Sequence, residues 1–266
     1  LRSRALAAQS RFMAETNDTK PSVLIGGISG GVGASLAGRF LGSGWQVGGY
    51  GRSEEKLRTF VETHPEATTY QADATDPAQV DQVFEKWLER AGGLDAYVHC
   101  IGSILLKPAH GCSDEEFEET LSLNLRSAFY ALRAAVRPMQ KAKGGSILFV
   151  STVAAQVGVP NHEPIAAAKA GVDGLVRSAA STYATKNVRV NAVAPGMVET
   201  PMAKPLLGSD QAKKLSAAMH PLGRTGQADD ISSLLHWLAQ PENDWVTGQI
   251  WSVDGGMAHV RQRTKV

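Results

Sequence analysis

Residues 22–33 read Ser22-Val23-Leu24-Ile25-Gly26-Gly27-Ile28-Ser29-Gly30-Gly31-Val32-Gly33. An aliphatic run of strand length passes without a polar linker into a segment where five of eight residues are glycine, and then into a helical pattern. Glycines let a backbone turn sharply and approach a pyrophosphate closely, and the helix that follows offers unpaired N–H groups and the positive end of its dipole. At the first strand–helix turn of an alternating chain, this is where a dinucleotide binds.

The rest of the chain alternates in the same way. Residues 22–26, 46–50, 68–71, 96–101, 146–150, 188–193 and 249–253 are short and nearly continuously apolar, the pattern of strands buried on both faces. Helical patterns fill the gaps. Phe117, Leu121, Leu125, Phe129 and Leu132 form one apolar stripe, and Ile231, Leu234, Leu235 and Leu238 another. The alternation predicts an α/β fold: a single Rossmann-type doubly wound domain over 21–266, with a seven-stranded parallel sheet and helices on both faces. Residues 199–223, with Pro201, Pro205 and Pro221, interrupt the pattern between the sixth and seventh strands. An irregular insertion there is expected to be a substrate lid beyond the carboxyl edge of the sheet.

Composition narrows the function. Lys and Arg number 27 against 26 Asp and Glu, a net charge of +1, so no nucleic-acid partner is expected. No apolar run approaches the ~20 residues of a membrane span. Two cysteines, Cys100 and Cys112, exclude a disulfide scaffold and point to reduced thiols in the cytoplasm. Residues 1–20 carry Arg2, Arg4 and Arg11 with no acid before Glu15, which reads either as an organelle-import leader or as a disordered segment ahead of a start at Met13. The basic end with Arg261, Arg263 and Lys265 reads as solvated. No metal ligand set is assigned.

An acid at the end of the second strand would bind a ribose 2′-hydroxyl. The chain has Tyr50-Gly51-Arg52-Ser53 instead. A guanidinium fork at Arg52 and a hydroxyl at Ser53 suit a 2′-phosphate, which favours NADP over NAD.

With these residues in place the chain resembles the short-chain dehydrogenase/reductase family over roughly 21–259. Gly27, Gly31 and Gly33 match its Gly-x-x-x-Gly-x-Gly motif. Asp73 matches an adenine-pocket aspartate, with Ala74 beside it, and Val188-Arg189-Val190-Asn191-Ala192-Val193-Ala194-Pro195-Gly196 matches a long signature nearly letter for letter. Val253-Asp254-Gly255-Gly256 matches the last strand. The resemblance implies cofactor contacts from Gly27, Ser29, Gly31, Val32, Gly33, Arg52, Ser53, Asp73, Ala74, Gly102, Lys169, Pro195, Gly196, Val198 and Thr200. Val198 and Thr200 would meet the nicotinamide carboxamide. It also implies hydride transfer between NADP(H) and a small carbonyl or alcohol substrate, and a homodimer or homotetramer paired through the helices of Asn124 and Lys169. The small residues Ala166, Ala167, Ala168, Ala170 and Gly171 suit close helix approach there.

The family's proton relay uses Asn, Ser, Tyr and Lys. Asn124 and Lys169 match, and Thr152 keeps a hydroxyl at the serine position. The tyrosine does not match: Ile165 stands four residues before Lys169 and thirteen after Thr152, both at the family spacing. Gly26 also replaces a usual threonine, and His99-Cys100-Ile101-Gly102 replaces Asn-Asn-Ala-Gly. Ile165 has no proton to give, and general acid catalysis is worth about 10²–10⁴-fold. His162, seven residues before Lys169, sits where the divergent enoyl reductases place their tyrosine, on the loop expected just before a helix that starts at Pro164, with Glu163 extended and a weaker candidate acid.

Three readings follow. The first is an NADP-dependent oxidoreductase with a rebuilt acid, either His162 or a water held by Thr152 and Asn124. The second is a catalytically silent NADP-binding subunit or regulator. The third is a non-redox lyase or dehalogenase on the same fold. Ile165, Val157, Val159, Met197, Met202 and Leu206 suggest an apolar pocket.

Overall fold

A computed structural model describes residues 20–261. The readings of the Arg-rich leader, apart from Lys20, and of Arg263 and Lys265 lie outside the described residues.

Seven parallel strands form one sheet: β1 (Ser22–Gly26), β2 (Gln46–Gly51), β3 (Thr68–Gln71), β4 (Ala96–His99), β5 (Gly145–Val150), β6 (Val188–Pro195) and β7 (Ile250–Val253), in spatial order β3-β2-β1-β4-β5-β6-β7. The order reverses between β1 and β4, which pair from Val23 with Ala96 to Gly26 with His99. A crevice opens at the carboxyl ends of strands at such a reversal. β4 ends at His99 rather than at the expected 101, because the Cys100 N–H bonds Gly26 O and the chain then leaves the sheet toward the cleft.

Successive strand residues face opposite sides, so β1 feeds two cores. On one face Leu24, Tyr50, Tyr97 and Phe149 pack under α3 (Pro77–Ala91), α5 (Ser127–Ala142) and α6 (Glu163–Tyr183) through Trp87, Met139 and Val176. On the other, Val23, Ile25, Val98 and Val193 pack under α1 (Gly31–Gly42), α2 (Glu54–Thr63) and α8 (Ala228–Ala239) through Phe40, Phe60 and Leu235. The expected stripe on α8 is there: Ile231, Leu235 and Leu238 are buried.

The other expected stripe is broken. Between α4 (Asp114–Leu121) and α5 lies a π-type turn, Ser122–Arg126. Its extra residue rotates the downstream face, so α5 buries Ala128, Ala131, Leu132, Ala135 and Met139. Phe117 and Phe129 stand exposed instead.

The interruption at 199–223 also holds more structure than its prolines suggest. A short ladder joins Val198–Glu199 to Gly226–Gln227, and α7 (Asp210–Ala218) lies between them, capped by Ser209 Oγ on the Ala212 N–H. No residue of α7 is buried, so it lacked the apolar stripe by which a helix is recognised in sequence. No helix among the described residues is long and apolar enough to cross a membrane.

Candidate functional site

The β1–α1 turn is built as the glycines suggest. Gly27 has φ +79°, and a side chain there would press on the Cys100 carbonyl. Gly33 packs directly on the Gly27 carbonyl, and a Cβ on Gly31 would lie 2.8 Å from Thr200 Cγ2. The turn is therefore narrow, no side chain caps the α1 amino end, and the segment after β6 lies against it.

One cavity of about 1100 Å³ runs over the carboxyl ends of the strands. The residues assigned to the cofactor and to the chemistry line it, namely Gly27, Ser29, Gly31, Val32, Gly33, Arg52, Ser53, Asp73, Ala74, Gly102, Asn124, Thr152, His162, Lys169, Pro195, Gly196, Val198 and Thr200, whereas Glu163, the weaker candidate acid, is exposed and does not. At one end Ser53 Oγ caps α2 by accepting from the Lys56 N–H, and exposed Arg52 is anchored by its carbonyl, which accepts from Gln71 Nε2. Asp73 Oδ1 accepts from the Thr75 N–H and hydroxyl at 2.8 and 2.7 Å.

The relay residues meet at the other end. Asn124, fully buried in the π-type turn, accepts at Oδ1 from the Ser103 N–H and donates from Nδ2 to Ser103 Oγ and the Thr120 carbonyl. Lys169 donates from Nζ to the Val150 carbonyl at 2.8 Å, and burial pulls its ammonium down to about 8 from 10.5. Gly102 lies against both: a Cβ there would be 2.7 Å from Asn124 Oδ1 and 3.3 Å from Lys169 Nζ. Beside Lys169, burial pushes the Cys100 thiol up to about 12, so it is neither a thiolate nor a counter-charge. Thr152 Oγ1 accepts from the Ala154 N–H at 3.3 Å. Ile165 is 5% exposed and sits in the wall one turn before Lys169.

His162 is the residue just before α6, as expected, but the helix begins one residue earlier than expected, with Glu163 as its first residue and Pro164 as its second. Pro164 has no N–H to leave unpaired, so the first turn of the helix accommodates it. His162 is half-buried and donates from Nδ1 to the Pro160 carbonyl at 2.7 Å, which leaves Nε2 for the cleft. Val157 does not line the cavity, whereas Val159, Met197, Met202 and Leu206 do, joined by Ile104, Leu106, Leu215, Met219 and Met257.

Sequence reasoning missed three elements. Ser103, which occupies two of the three bonds of Asn124, follows the fourth-strand motif immediately. Buried Ser151 donates to Asp173 at 2.6 Å and ties β5 to α6. The third is a chain of hydroxyls under the glycine turn. Tyr50 and Tyr97 hydroxyls are 2.9 Å apart, Tyr97 Oη is 2.8 Å from His99 Nδ1, His99 Nε2 is 3.1 Å from Ser127 Oγ, and Ser127 Oγ is 2.6 Å from the Leu123 carbonyl. The carbonyl can only accept, so Ser127 donates to it. His99 Nε2–H then donates to Ser127, Tyr97 donates to His99 Nδ1, and Tyr50 donates to Tyr97. Burial holds His99 neutral, with its imidazolium pushed down to about 3. Gly26 sits above the two phenols, and a Cβ there would lie 2.8 Å from Tyr97 Oη. The departures at Gly26 and His99 are thus one feature: the hydroxyls fill the space that a threonine would need.

Known proteins match this arrangement along most of the chain. A family model described as enoyl-(acyl carrier protein) reductase matches residues 27–258. The 3-oxoacyl-(acyl-carrier-protein) reductase FabG of Thermotoga maritima is 32% identical over 238 residues, covering 88% of this chain and 96% of that one. A short-chain type dehydrogenase/reductase from Mycobacterium ulcerans superposes with a TM-score of 0.86 at 27% identity, over 90% of each chain. ElxO with NADP bound superposes with a TM-score of 0.86 at 28% identity, over 90% of this chain and 99% of that one. With the seven-stranded parallel sheet, the glycine turn and the signature ending at Gly196 all in register, the chain belongs to the short-chain dehydrogenase/reductase family.

Proposed function

We propose that the protein is an NADP(H)-dependent oxidoreductase of a neutral, apolar carbonyl or conjugated double bond, working with a proton relay that lacks the phenol. The observation that carries this reading is the single cleft, which brings the narrow glycine turn, Arg52 and Ser53, the segment 195–200, and Asn124, Thr152 and Lys169 together. The residues fit the group: the glycine contacts leave backbone where a pyrophosphate lies, and Arg52 with the α2 amino end supplies donors for a 2′-phosphate. NADPH, when bound, supplies the hydride. NADP bound to ElxO supports the same choice.

Lys169 would hold the nicotinamide ribose, and Val198 and Thr200 the carboxamide. Thr152 would orient the substrate oxygen. The proton would come from His162 Nε2 or from a water between Thr152 and Asn124. The charged residues of the lining, Arg52, Glu55, Lys56, Asp73 and Lys169, are the ones at the cofactor positions or on α2. The remaining wall is mostly aliphatic and methionine, which supports an uncharged substrate. Residues 199–223 would act as the lid, and α4, α5 and α6 would pair two or four copies.

Asn124 with its bonds to Ser103 and Thr120, and Lys169 bonded to Val150, favour a second reading. Both already have partners within the chain, which suits a silent NADP(H)-binding subunit. The deciding experiment is NADPH oxidation over a panel of apolar ketones, enones and imines, run beside NADPH binding. Turnover supports the first reading and binding alone the second. Conversion of substrate without a change in cofactor absorbance would replace both with a lyase.

A further inference from the structure

His220 is a histidine buried to 2% exposure, and no step above uses it. It lies where three segments converge: the end of the lid after α7, the loop after β6, and the turn after β7. Its Nδ1 is 2.7 Å from the Ser216 carbonyl and its Nε2 is 3.1 Å from the Met197 backbone nitrogen. Both partners are backbone groups of fixed role. Ser216 can only accept, so Nδ1 carries the proton. Met197 can only donate, so Nε2 is bare. The ring is therefore a neutral imidazole of one tautomer, with both nitrogens in use.

The geometry around it is tight. A Cβ on Gly196 would lie 2.6 Å from His220 Nε2, and a Cβ on Gly255 would lie 3.3 Å from His220 Cβ. Met197 is held on its other side too, because its carbonyl accepts from the Gly226 N–H at 2.8 Å. Just beyond it, Thr225 donates to Glu199 at 2.6 Å. Met197 stands between Gly196 and Val198 in the segment assigned to the nicotinamide. Among the described residues the ring is thus the one side chain that bonds the lid helix to that segment directly.

We propose that His220 is a positioning residue that latches the lid to the nicotinamide-binding segment, so that the posture of α7 and the set of the 196–198 backbone change together. The proposal rests on the cofactor reading only for its first test. Without the ring the Met197 N–H loses its acceptor, and the segment must be reordered when the nicotinamide binds.

The first test compares NADPH with adenosine 2′,5′-bisphosphate, which lacks the nicotinamide half, by calorimetry on the full chain. His220→Leu is expected to weaken NADPH about tenfold and to leave the bisphosphate unchanged. His220→Gln, whose amide oxygen replaces the Nε2 acceptor, is expected to restore most of the NADPH affinity. Equal loss for both ligands, unchanged NADPH affinity in His220→Leu, or a glutamine variant as weak as the leucine one overturns the proposal. The second test needs no cofactor: tryptic cutting at Lys213 and Lys214, both exposed on α7, is expected to be faster in His220→Leu than in the wild type. Equal rates overturn the latch. Wild-type protein that binds neither ligand overturns the cofactor reading instead, and the proteolysis still decides the latch.

Discussion

Gly26 and Tyr97 exclude one another's larger forms: a Cβ on Gly26 would lie 2.8 Å from the Tyr97 hydroxyl and 3.0 Å from that of Tyr50. Gly26→Thr, which installs the family's usual residue, is expected to destabilise the fold by about 1–3 kcal/mol. Urea unfolding measures this. The cost is expected to shrink in a Tyr50→Phe/Tyr97→Phe background, where both hydroxyls are gone. A cycle with no coupling would show that the phenols are not what keeps position 26 small.

Ile165→Tyr restores the missing phenol one turn before Lys169. With Thr152 and Asn124 already in the cleft, it is expected to create ketone reduction by NADPH, or to raise it about 10²–10⁴-fold. The larger ring must displace its neighbours, so the thermal midpoint is measured alongside the rate. His162→Ala is expected to abolish whatever turnover the wild type has.

Burial lowers the Lys169 ammonium to about 8 in the free protein. An anionic cofactor favours the charged form, so the bound protein titrates higher and binding takes up a proton between the two values. NADPH affinity is therefore expected to fall as pH rises through about 8, by no more than about tenfold per unit. Calorimetry in buffers of different ionisation heat detects the uptake. Lys169→Met is expected to remove that pH dependence.

On the proposed reading Arg52 sets the choice between cofactors. Arg52→Ala is expected to weaken NADPH by roughly ten- to a hundredfold, the worth of one or two charge-assisted hydrogen bonds. NADH binding should stay unchanged. Fluorescence titration of both cofactors against both proteins checks it.

Pairing through α4, α5 and α6 predicts a dimer or tetramer by light scattering. Ala168 is buried within its own chain, so it cannot meet a partner, and Gly171 lies against Leu125. Exposed Phe117 and Phe129 remain on α4 and α5, with Ala167 and Ala170 on α6. Phe129→Glu is expected to shift the protein toward monomer.

The central strands β1, β4 and β5 were legible because burial on both faces leaves an apolar run, and the glycine turn because its backbone contacts admit nothing larger. The π-type turn was not. Apolar spacing through Phe117, Leu121, Leu125 and Phe129 looks continuous on paper, and the added residue in the turn takes Phe129 off the buried face. The cleft residues assigned from motifs all reached the cleft, since the signature fixes strand ends and loops at set distances from one another. Ser103 and His220 escaped notice because their partners are backbone groups or residues far along the chain. No local spacing announces such a bond.

The hydroxyl chain from Tyr50 to Leu123 has a further consequence. Its protons have a single arrangement, fixed at one end by a carbonyl that cannot donate. Sending a proton along it would mean reversing every link and leaving that carbonyl bare, with a histidine whose imidazolium is held down to about 3 in the middle. The buried network beneath the glycine turn therefore keeps one polarity and is not a proton relay. On the proposed reading the proton for the substrate therefore comes through the cleft itself, along the side where His162, Thr152 and Lys169 stand.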